Sequence, residues 1–176
     1  VVFSPDGQAV TITFTDFKVD VVPGFYRNGG GFLIPDSQRG RWISTDPKKH
    51  VELWSTANKA HNGDLVPLIK MVKGWNKSRN LMRSFHLETL VLSVLQGVTI
   101  SSFPSGLRYV FDKARDKIKV KLADPAGYSD DVAAYLTKVE EMDKIIARLE
   151  WAYARAQEAE QLAANGKTRE AFEKWN

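Results

Sequence analysis

Three groups of side chains in this sequence have chemistry suited to a phosphate or a metal ion. Asp20 lies on the polar side of a segment with strand-like alternation, where a carboxylate can bind a divalent cation together with carboxylates of neighbouring strands. Lys70, Lys73 and Lys77 share one side of a predicted helix, and ammonium groups so placed can bind a polyphosphate. Ser84 stands at the start of another predicted helix, where its hydroxyl and the backbone N–H groups can donate to an anion.

Each of these features also has a structural explanation that needs no ligand. Asp20 fits an ordinary carboxylate that faces solvent, and the lysines fit a solvated helix face. Ser84 fits a plain helix cap, which serves the helix alone. Spacing taken by itself favours these simpler explanations.

The positive charge of the chain is concentrated in its middle. The 176 residues carry a net charge of +4, but residues 39–83 hold ten basic and three acidic side chains, a net +7. Residues 130–176 hold seven basic and ten acidic side chains. A basic block beside acidic segments suggests a phosphate-binding surface, but a solvated basic face is the more common outcome on composition alone.

Composition and motifs exclude several classes of function. The chain has 43% hydrophobic and 26% charged residues, which predicts a globular protein. It has no cysteine, hence no disulfide, thiolate metal site or cysteine nucleophile. His50, His61 and His86 share no metal-ligand spacing, and neither a phosphate-binding glycine loop nor a Gly-x-Ser-x-Gly motif is present. Apolar runs are too short to span a bilayer, so a cytoplasmic protein is expected.

The first part of the sequence predicts β-strands. Apolar and polar residues alternate over 10–15 and again over 17–22, and Asp6-Gly7 predicts a hairpin turn before them. Residues 25–45 predict an irregular segment with a tight turn at Gly29–Gly31. Two strands do not make a stable sheet, so we expect the rest of that sheet upstream of the first residue.

The remainder of the sequence predicts helices. Their starts are marked by capping residues and their ends by Asn-Gly pairs or by the Asp-Pro-Ala-Gly break at 124–127. The predicted helices run from Pro47 to Ala60 with Asp46 as cap, from Asp64 to Lys77, from Ser84 as a buried helix, from Ser105, and from Ser129 to Ala164, with a last amphipathic turn through Trp175. His86 and Glu88 on the buried helix are predicted to be hydrogen-bonded core residues. The fold class is therefore α+β.

Several segments, in their order along the chain, resemble the polymerase-β-like nucleotidyltransferases of the oligoadenylate synthetase and cyclic GMP–AMP synthase branch. The bacterial members of that branch are the CD-NTases, and the resemblance covers nearly the whole chain. It is carried by Val-Asp-Val-Val-Pro at 19–23, Gly-Phe-Leu-Ile-Pro-Asp at 31–36, Arg-Trp-Ile-Ser-Thr-Asp-Pro-Lys-Lys-His at 41–50, Leu-Ile-Lys-Met-Val-Lys-Gly-Trp-Asn at 68–76, Ser-Phe-His-Leu-Glu at 84–88, and Asp-Pro-Ala-Gly at 124–127 with Tyr135-Leu136.

The resemblance implies a role for each matching residue. Asp20 would be the third metal-binding carboxylate, which also acts on the attacking hydroxyl. Lys73 would contact the triphosphate of the donor nucleotide, and Ser84 would donate to the same triphosphate from the helix N-terminus. Phe85 would lie close to it, and Lys70, one turn from Lys73, is a weaker candidate.

The same resemblance implies an organisation and an activity. Residues 1–38 would be the last strands of the nucleotidyltransferase sheet, and residues 39–176 a mainly α-helical C-terminal lobe. The enzyme would use Mg²⁺ or Mn²⁺ to make cyclic or linear oligonucleotide second messengers from ATP and other nucleoside triphosphates, in the anti-phage signalling called CBASS. The family's Gly-Ser motif and Asp-x-Asp pair have no counterpart in the 19 residues before Asp20. We therefore expect a C-terminal portion that is inactive alone.

Two other interpretations remain open. The helical lobe with its basic segment is also suited to binding nucleic acid without catalysis, in which case binding would weaken steeply with salt. The helix over residues 129–164, with its acidic and alanine-rich end, is suited to docking a regulatory protein.

Overall fold

The computed structural model of the chain describes residues 2–6, 8–37, 40–129 and 131–175. The chain forms two compact units, Val1–Glu52 and Leu53–Asn176. The first contains short strands and the second is helical, so the predicted α+β class is confirmed. Residues 38 and 39, on either side of the predicted domain boundary, lie outside the described residues.

The first sheet has three antiparallel strands, β1 (Val2–Asp6), β2 (Ala9–Thr13) and β3 (Lys18–Val21). Both predicted strands are confirmed, and β1 adds a third. Asp6 pairs with Ala9 across the predicted hairpin, whose Gly7 lies outside the described residues. β2 ends before Phe14, because the Phe14 N–H donates to the Phe17 carbonyl at 2.9 Å and the two rings stack, which turns the chain into β3.

A second antiparallel sheet occupies the segment predicted to be irregular, so that prediction is wrong. Its strands are β4 (Phe25–Tyr26), β5 (Phe32–Asp36) and β6 (Arg41–Thr45). The tight turn at Gly29–Gly31 is confirmed, since these glycines have φ values of +75° to +100°. Pro35 argued against a strand here, because proline has no N–H to donate to a neighbouring strand. β5 accommodates it because β4 pairs with β5 only at Phe32 and Leu33.

Six helices follow within residues 40–129 and 131–175, and most of the predicted boundaries hold. They are α1 (Pro47–Ala60), α2 (Leu65–Lys77), α3 (Ser84–Leu95), α4 (Phe103–Lys117), α5 (Val139–Ala164) and α6 (Thr168–Trp175). The Asp46 side chain accepts a hydrogen bond from the Lys49 N–H at 3.1 Å, which confirms the predicted cap of α1. Asp64 does not cap α2 with its side chain; Asn58 accepts from the Val66 N–H at 2.9 Å instead.

Two helix starts differ from the prediction. α4 begins at Phe103 rather than Ser105, because Ser102 is the cap and accepts from the Ser105 N–H. α5 begins ten residues later than predicted. The Asp131 carboxylate accepts hydrogen bonds from the Leu122 and Ala133 N–H groups, which holds the preceding residues in turns.

The core of the helical unit is built around α3. This helix is buried on nearly all sides, as its composition predicts. α2 packs against it through an apolar stripe of Leu65, Leu68, Ile69 and Val72. Gly106 of α4 lies against Leu68, since a Cβ there would meet the Leu68 methyl groups at 3.3 Å. None of the described helices combines the length and apolar character that a bilayer crossing requires.

Candidate functional site

Asp20 lies on β3 directly opposite Thr11 of β2. The Thr11 hydroxyl donates to Asp20 Oδ1 at 2.7 Å, and Thr11 itself is buried while Asp20 is exposed. A threonine fixed in the sheet thus orients one carboxylate oxygen. The other oxygen accepts no hydrogen bond within the described part of the chain, so it is available to a ligand.

Asp20 fits the role of a single metal ligand rather than part of a complete metal site. Over residues 2–6, 8–37, 40–129 and 131–175, no three His, Asp or Glu side chains are grouped so that they could hold a metal ion. Mg²⁺ is commonly bound through one or two carboxylates together with the phosphates of a substrate. An exposed and oriented carboxylate such as Asp20 fits that mode of binding.

In the helical unit, the end of α2, the following loop and the start of α3 form an open cleft of about 440 Å³. Lys73 and Ser84, two of the predicted phosphate ligands, both line it. The structure thus brings together residues from two different helices. The complete lining is Lys73, Gly74, Asn76, Lys77, Asn80, Met82, Arg83 and Ser84, with three cations and no carboxylate among these described residues.

Lys73 is held across the cleft wall by an ion pair. Its Nζ donates to Glu88 Oε1 of α3 at 2.5 Å, and the Lys73 side chain remains 39% exposed. Glu88 is hydrogen-bonded as predicted, but its side chain is 24% exposed, so it lies at the edge of the helical unit rather than in the core. The pair restrains the lysine next to the α3 N-terminus, where a bound phosphate would compete with Glu88 for the ammonium group.

Ser84 is the first residue of α3 rather than its cap. Arg83 occupies the cap position in extended backbone geometry, and no side chain caps the helix. The first N–H groups of an α-helix have no partner inside the helix. The exposed Ser84 hydroxyl and these N–H groups therefore form a set of donors at the rim of the cleft.

Asn76 shapes the loop between the two helices. It is buried, its side-chain oxygen accepts from the Leu81 and Met82 N–H groups at 3.2 and 3.1 Å, and its amide donates to the Met82 carbonyl at 2.7 Å. Our sequence reasoning assigned it no role. The available signal was a polar residue four positions after Val72 on the apolar stripe of α2, where a buried amide needs partners.

The loop is also anchored at its far end, where it enters α3. The Tyr135 hydroxyl accepts from the Arg83 N–H at 3.0 Å and lies 3.0 Å from Nδ1 of His86, which is 1% exposed. The Arg83 guanidinium lies over the Tyr135 ring at 4.4 Å. Burial raises the pKa of Tyr135, so its hydroxyl keeps its proton and can donate to a neutral His86. The prediction that His86 is a hydrogen-bonded core residue is confirmed.

The buried histidine makes stability depend on pH. Burial lowers the pKa of His86 below its ordinary value of 6.5, and the charge of Asp131 opposes this only in part. The folded state therefore binds this proton more weakly than the unfolded state, so the contribution is complete above about pH 6.5 and is lost as pH falls. We expect the Tm to fall more steeply between pH 7.5 and 5 in the wild type than in His86→Gln. Parallel curves would contradict this role.

Comparison with known proteins finds several that are similar to this chain. Residues 3–58 match the model of the Second Messenger Oligonucleotide or Dinucleotide Synthetase domain. A cyclic AMP-AMP-AMP synthase of Acinetobacter sp. is 29% identical over 159 residues, which cover 78% of the chain. These similarities support the resemblance to the CD-NTases that the sequence motifs carry.

Solved structures of a bacterial protein share the fold of this chain. CdnC of E. coli MS115-1 with ATP superposes with a TM-score of 0.80 at 19% identity, over 98% of this chain and 64% of CdnC. Its complex with HORMA-deltaN superposes with a TM-score of 0.76, also at 19% identity, over 98% of this chain and 63% of CdnC. The chain spans less than half, 46%, of the Acinetobacter synthase.

The remaining predicted nucleotide-binding residues of the helical unit, Lys70 and Phe85, lie outside the cleft. Lys70 is exposed on α2 and does not line it. Phe85 is 38% exposed and stacks with the Trp54 ring, with 6.3 Å between ring centroids. Lys77 and Arg83 also line the cleft. Lys77 is one of the three lysines whose shared helix face is suited to a polyphosphate, but the family resemblance gave neither residue a role. Their signal was the basic block over residues 39–83, which did not say which of its ten cations share a surface.

Proposed function

We propose that this chain is the C-terminal portion of a CD-NTase that makes cyclic or linear oligonucleotide second messengers from ATP and other nucleoside triphosphates in CBASS anti-phage signalling. The observation that carries the proposal is the basic cleft in which Lys73 of α2 and Ser84 of α3 meet. Such a cleft, with an uncapped helix N-terminus at its rim, is suited to a polyphosphate. The synthase activity named for the Acinetobacter relative supports the same assignment.

The described residues would then divide the work of nucleotide transfer. In this reaction a ribose 2′- or 3′-hydroxyl attacks the α-phosphate of a nucleoside triphosphate, a new phosphodiester bond forms, and pyrophosphate leaves. Lys73 and Ser84 would bind the triphosphate and orient it, with Phe85 close by and Lys70 as a weaker contact. Asp20 would be a ligand of Mg²⁺ or Mn²⁺ and would accept the hydrogen bond of the attacking hydroxyl. A bound divalent cation supplies charge neutralisation and a lower pKa for that hydroxyl.

The surface of the first sheet supports the view that the chain is part of a larger enzyme. Its strands and the turn between β2 and β3 expose large apolar side chains, including Phe3 at 67%, Phe17 at 54% and Val21 at 48%. Apolar side chains on a small sheet are normally covered by further structure. In this proposal the remaining strands also carry the other carboxylates, and the 176 residues alone are inactive.

The proposal includes a regulatory protein partner. CdnC of E. coli, which shares the fold of this chain, has been solved in a complex with HORMA-deltaN, and this supports a protein partner for the chain. Nucleic acid is not required by the proposed reaction.

The direct test uses the complete gene product, purified with any protein that copurifies with it. Incubation with labelled nucleoside triphosphates and Mg²⁺ or Mn²⁺ should yield oligonucleotides that resist phosphatase, separated by chromatography. Product that appears without added divalent cation, or no product from any nucleotide mixture, would argue against the assignment.

Replacement of Lys73 by alanine should raise the apparent nucleotide KM of that enzyme. A charged hydrogen bond contributes about 1.5–3 kcal/mol, which corresponds to an increase of roughly tenfold or more. Lys144→Ala, which removes an exposed lysine of α5, is the matched control and should leave KM unchanged. A KM for Lys73→Ala equal to that of the control would remove Lys73 from the site.

A further inference from the structure

A second cleft of about 460 Å³ lies among α2, α4, α5 and α6 of the helical unit. It shares only Gly74 with the lining of the cleft that holds Lys73. Its described lining contains no acidic residue. The side chains that give it its character are three tryptophans and three cations: Trp75, Trp151, Trp175, Arg79, Arg155 and Lys174.

The two arginines of this cleft are not neutralised. Within the described part of the chain, neither Arg79 nor Arg155 pairs with a carboxylate. Arg79 Nη1 donates to the Trp75 carbonyl at 2.9 Å and to the Ser78 hydroxyl at 2.8 Å. Arg155 donates to the carbonyls of α6 through Nε and Nη2, at 3.0 and 3.1 Å. Both guanidinium groups keep their charge and further N–H donors.

Stacking orients these guanidinium groups. The Arg79 Cζ lies 5.4 Å from the ring centroid of Trp75 and 5.5 Å from that of Trp151, and the Arg155 Cζ lies 4.8 Å from that of Trp151. Stacking and backbone hydrogen bonds hold the planar groups in place, so little conformational entropy remains to be lost when an anion binds. An arginine prepared in this way is suited to bidentate binding of a phosphate.

Trp175 offers a surface for a planar ring. Trp175 packs against the hydrophobic core of the helical unit. Among the described residues, no aromatic ring and no cationic group stacks on its indole. We propose that this cleft binds a nucleotide, with its phosphate on Arg79 and Arg155 and its base on Trp175. The volume lies in the range of ordinary small-ligand sites. This second site is separate from the proposed transfer site and would make the enzyme responsive to a nucleotide in the cell.

The test is calorimetric titration of AMP into the 176-residue chain in EDTA, where no metal assists binding. We expect saturable binding that weakens at least about tenfold in Arg79→Gln and in Trp175→Leu. Arg155→Lys should also weaken it, because lysine cannot form the bidentate contact. Lys73→Ala, in the other cleft, should bind AMP as the wild type does. Adenosine and inorganic phosphate should each bind more weakly than AMP.

Several outcomes would overturn the second site. One is absence of saturable AMP binding to the wild type, and another is wild-type affinity in Arg79→Gln and Trp175→Leu. Binding lost in Lys73→Ala but kept in Arg79→Gln would place AMP in the cleft of the proposed function. A glutamate-rich peptide that displaces AMP at equal concentration would assign the cleft to an acidic protein partner instead. Circular dichroism of each variant shows whether it is folded. Arg155 connects α5 to α6 through its hydrogen bonds, so if Arg155→Lys unfolds locally, Arg79→Gln alone tests the site.

Discussion

Alanine in place of Asp20 is expected to reduce nucleotide transfer by the complete gene product about a thousandfold or more. In the proposed site the Asp20 carboxylate binds the metal and accepts the hydrogen bond of the attacking hydroxyl. The methyl group of alanine can do neither. Metal-assisted stabilisation of the transition state contributes several kcal/mol, and about 4 kcal/mol corresponds to a thousandfold. The loss should fall on kcat, measured as pyrophosphate release at saturating nucleotide.

Two further variants separate this role from a general effect on the sheet. Thr11→Val removes the hydroxyl that orients Asp20 Oδ1 but keeps the strand, and a loss of roughly tenfold to a hundredfold is expected for such a supporting contact. Asp16→Ala removes an exposed carboxylate in the turn between β2 and β3, and activity should remain near that of the wild type. If Asp20→Ala retains a tenth of the wild-type kcat, the assignment of Asp20 fails.

Elements with strong local signals could be predicted from the sequence. Asp46-Pro47 and Asn62-Gly63 mark the ends of α1 through fixed backbone preferences that need no tertiary contact. The second sheet could not be predicted. Its strands have only two to five residues, three glycines separate β4 from β5, and Pro35 lies within β5. The start of α5 was misplaced because Asp131 binds N–H groups on both sides of its turn, including that of Leu122, nine residues away.

In the candidate site, too, local sequence signals could be predicted and contacts between distant residues could not. Family motifs supplied Lys73 and Ser84, and periodicity placed both on helices. The sequence could not show that Lys73 pairs with Glu88, 15 residues later, or that Tyr135 holds the residue before Ser84 from a distance of 52 residues. Such contacts depend on how the helices pack, and packing is a property of the whole unit rather than of any local segment.

Asn76→Ala is expected to destabilise the chain by about 3 kcal/mol or more. Three hydrogen bonds disappear, to Leu81 N–H and to both backbone groups of the buried Met82, and alanine replaces none of them. A buried polar group left without a partner costs about 1–3 kcal/mol. The free energy of unfolding, from urea denaturation with an unchanged m-value, measures the effect.

Asn76→Ala also tests whether the loop between α2 and α3 sets the geometry of the cleft that contains Lys73 and Ser84. Asn76 fixes the chain between α2 and α3, so its loss should displace Ser84 relative to Lys73 and weaken nucleotide binding even at temperatures where the variant is folded. Asn165→Ala, at the exposed end of α5, should change stability by less than about 0.5 kcal/mol. Asn76→Asp keeps the acceptor but loses the donor to Met82, and it should fall between the two. A loss below 1 kcal/mol for Asn76→Ala would mean that water satisfies the loop, and the cleft would then owe its shape to Arg83 and Tyr135 rather than to the buried amide.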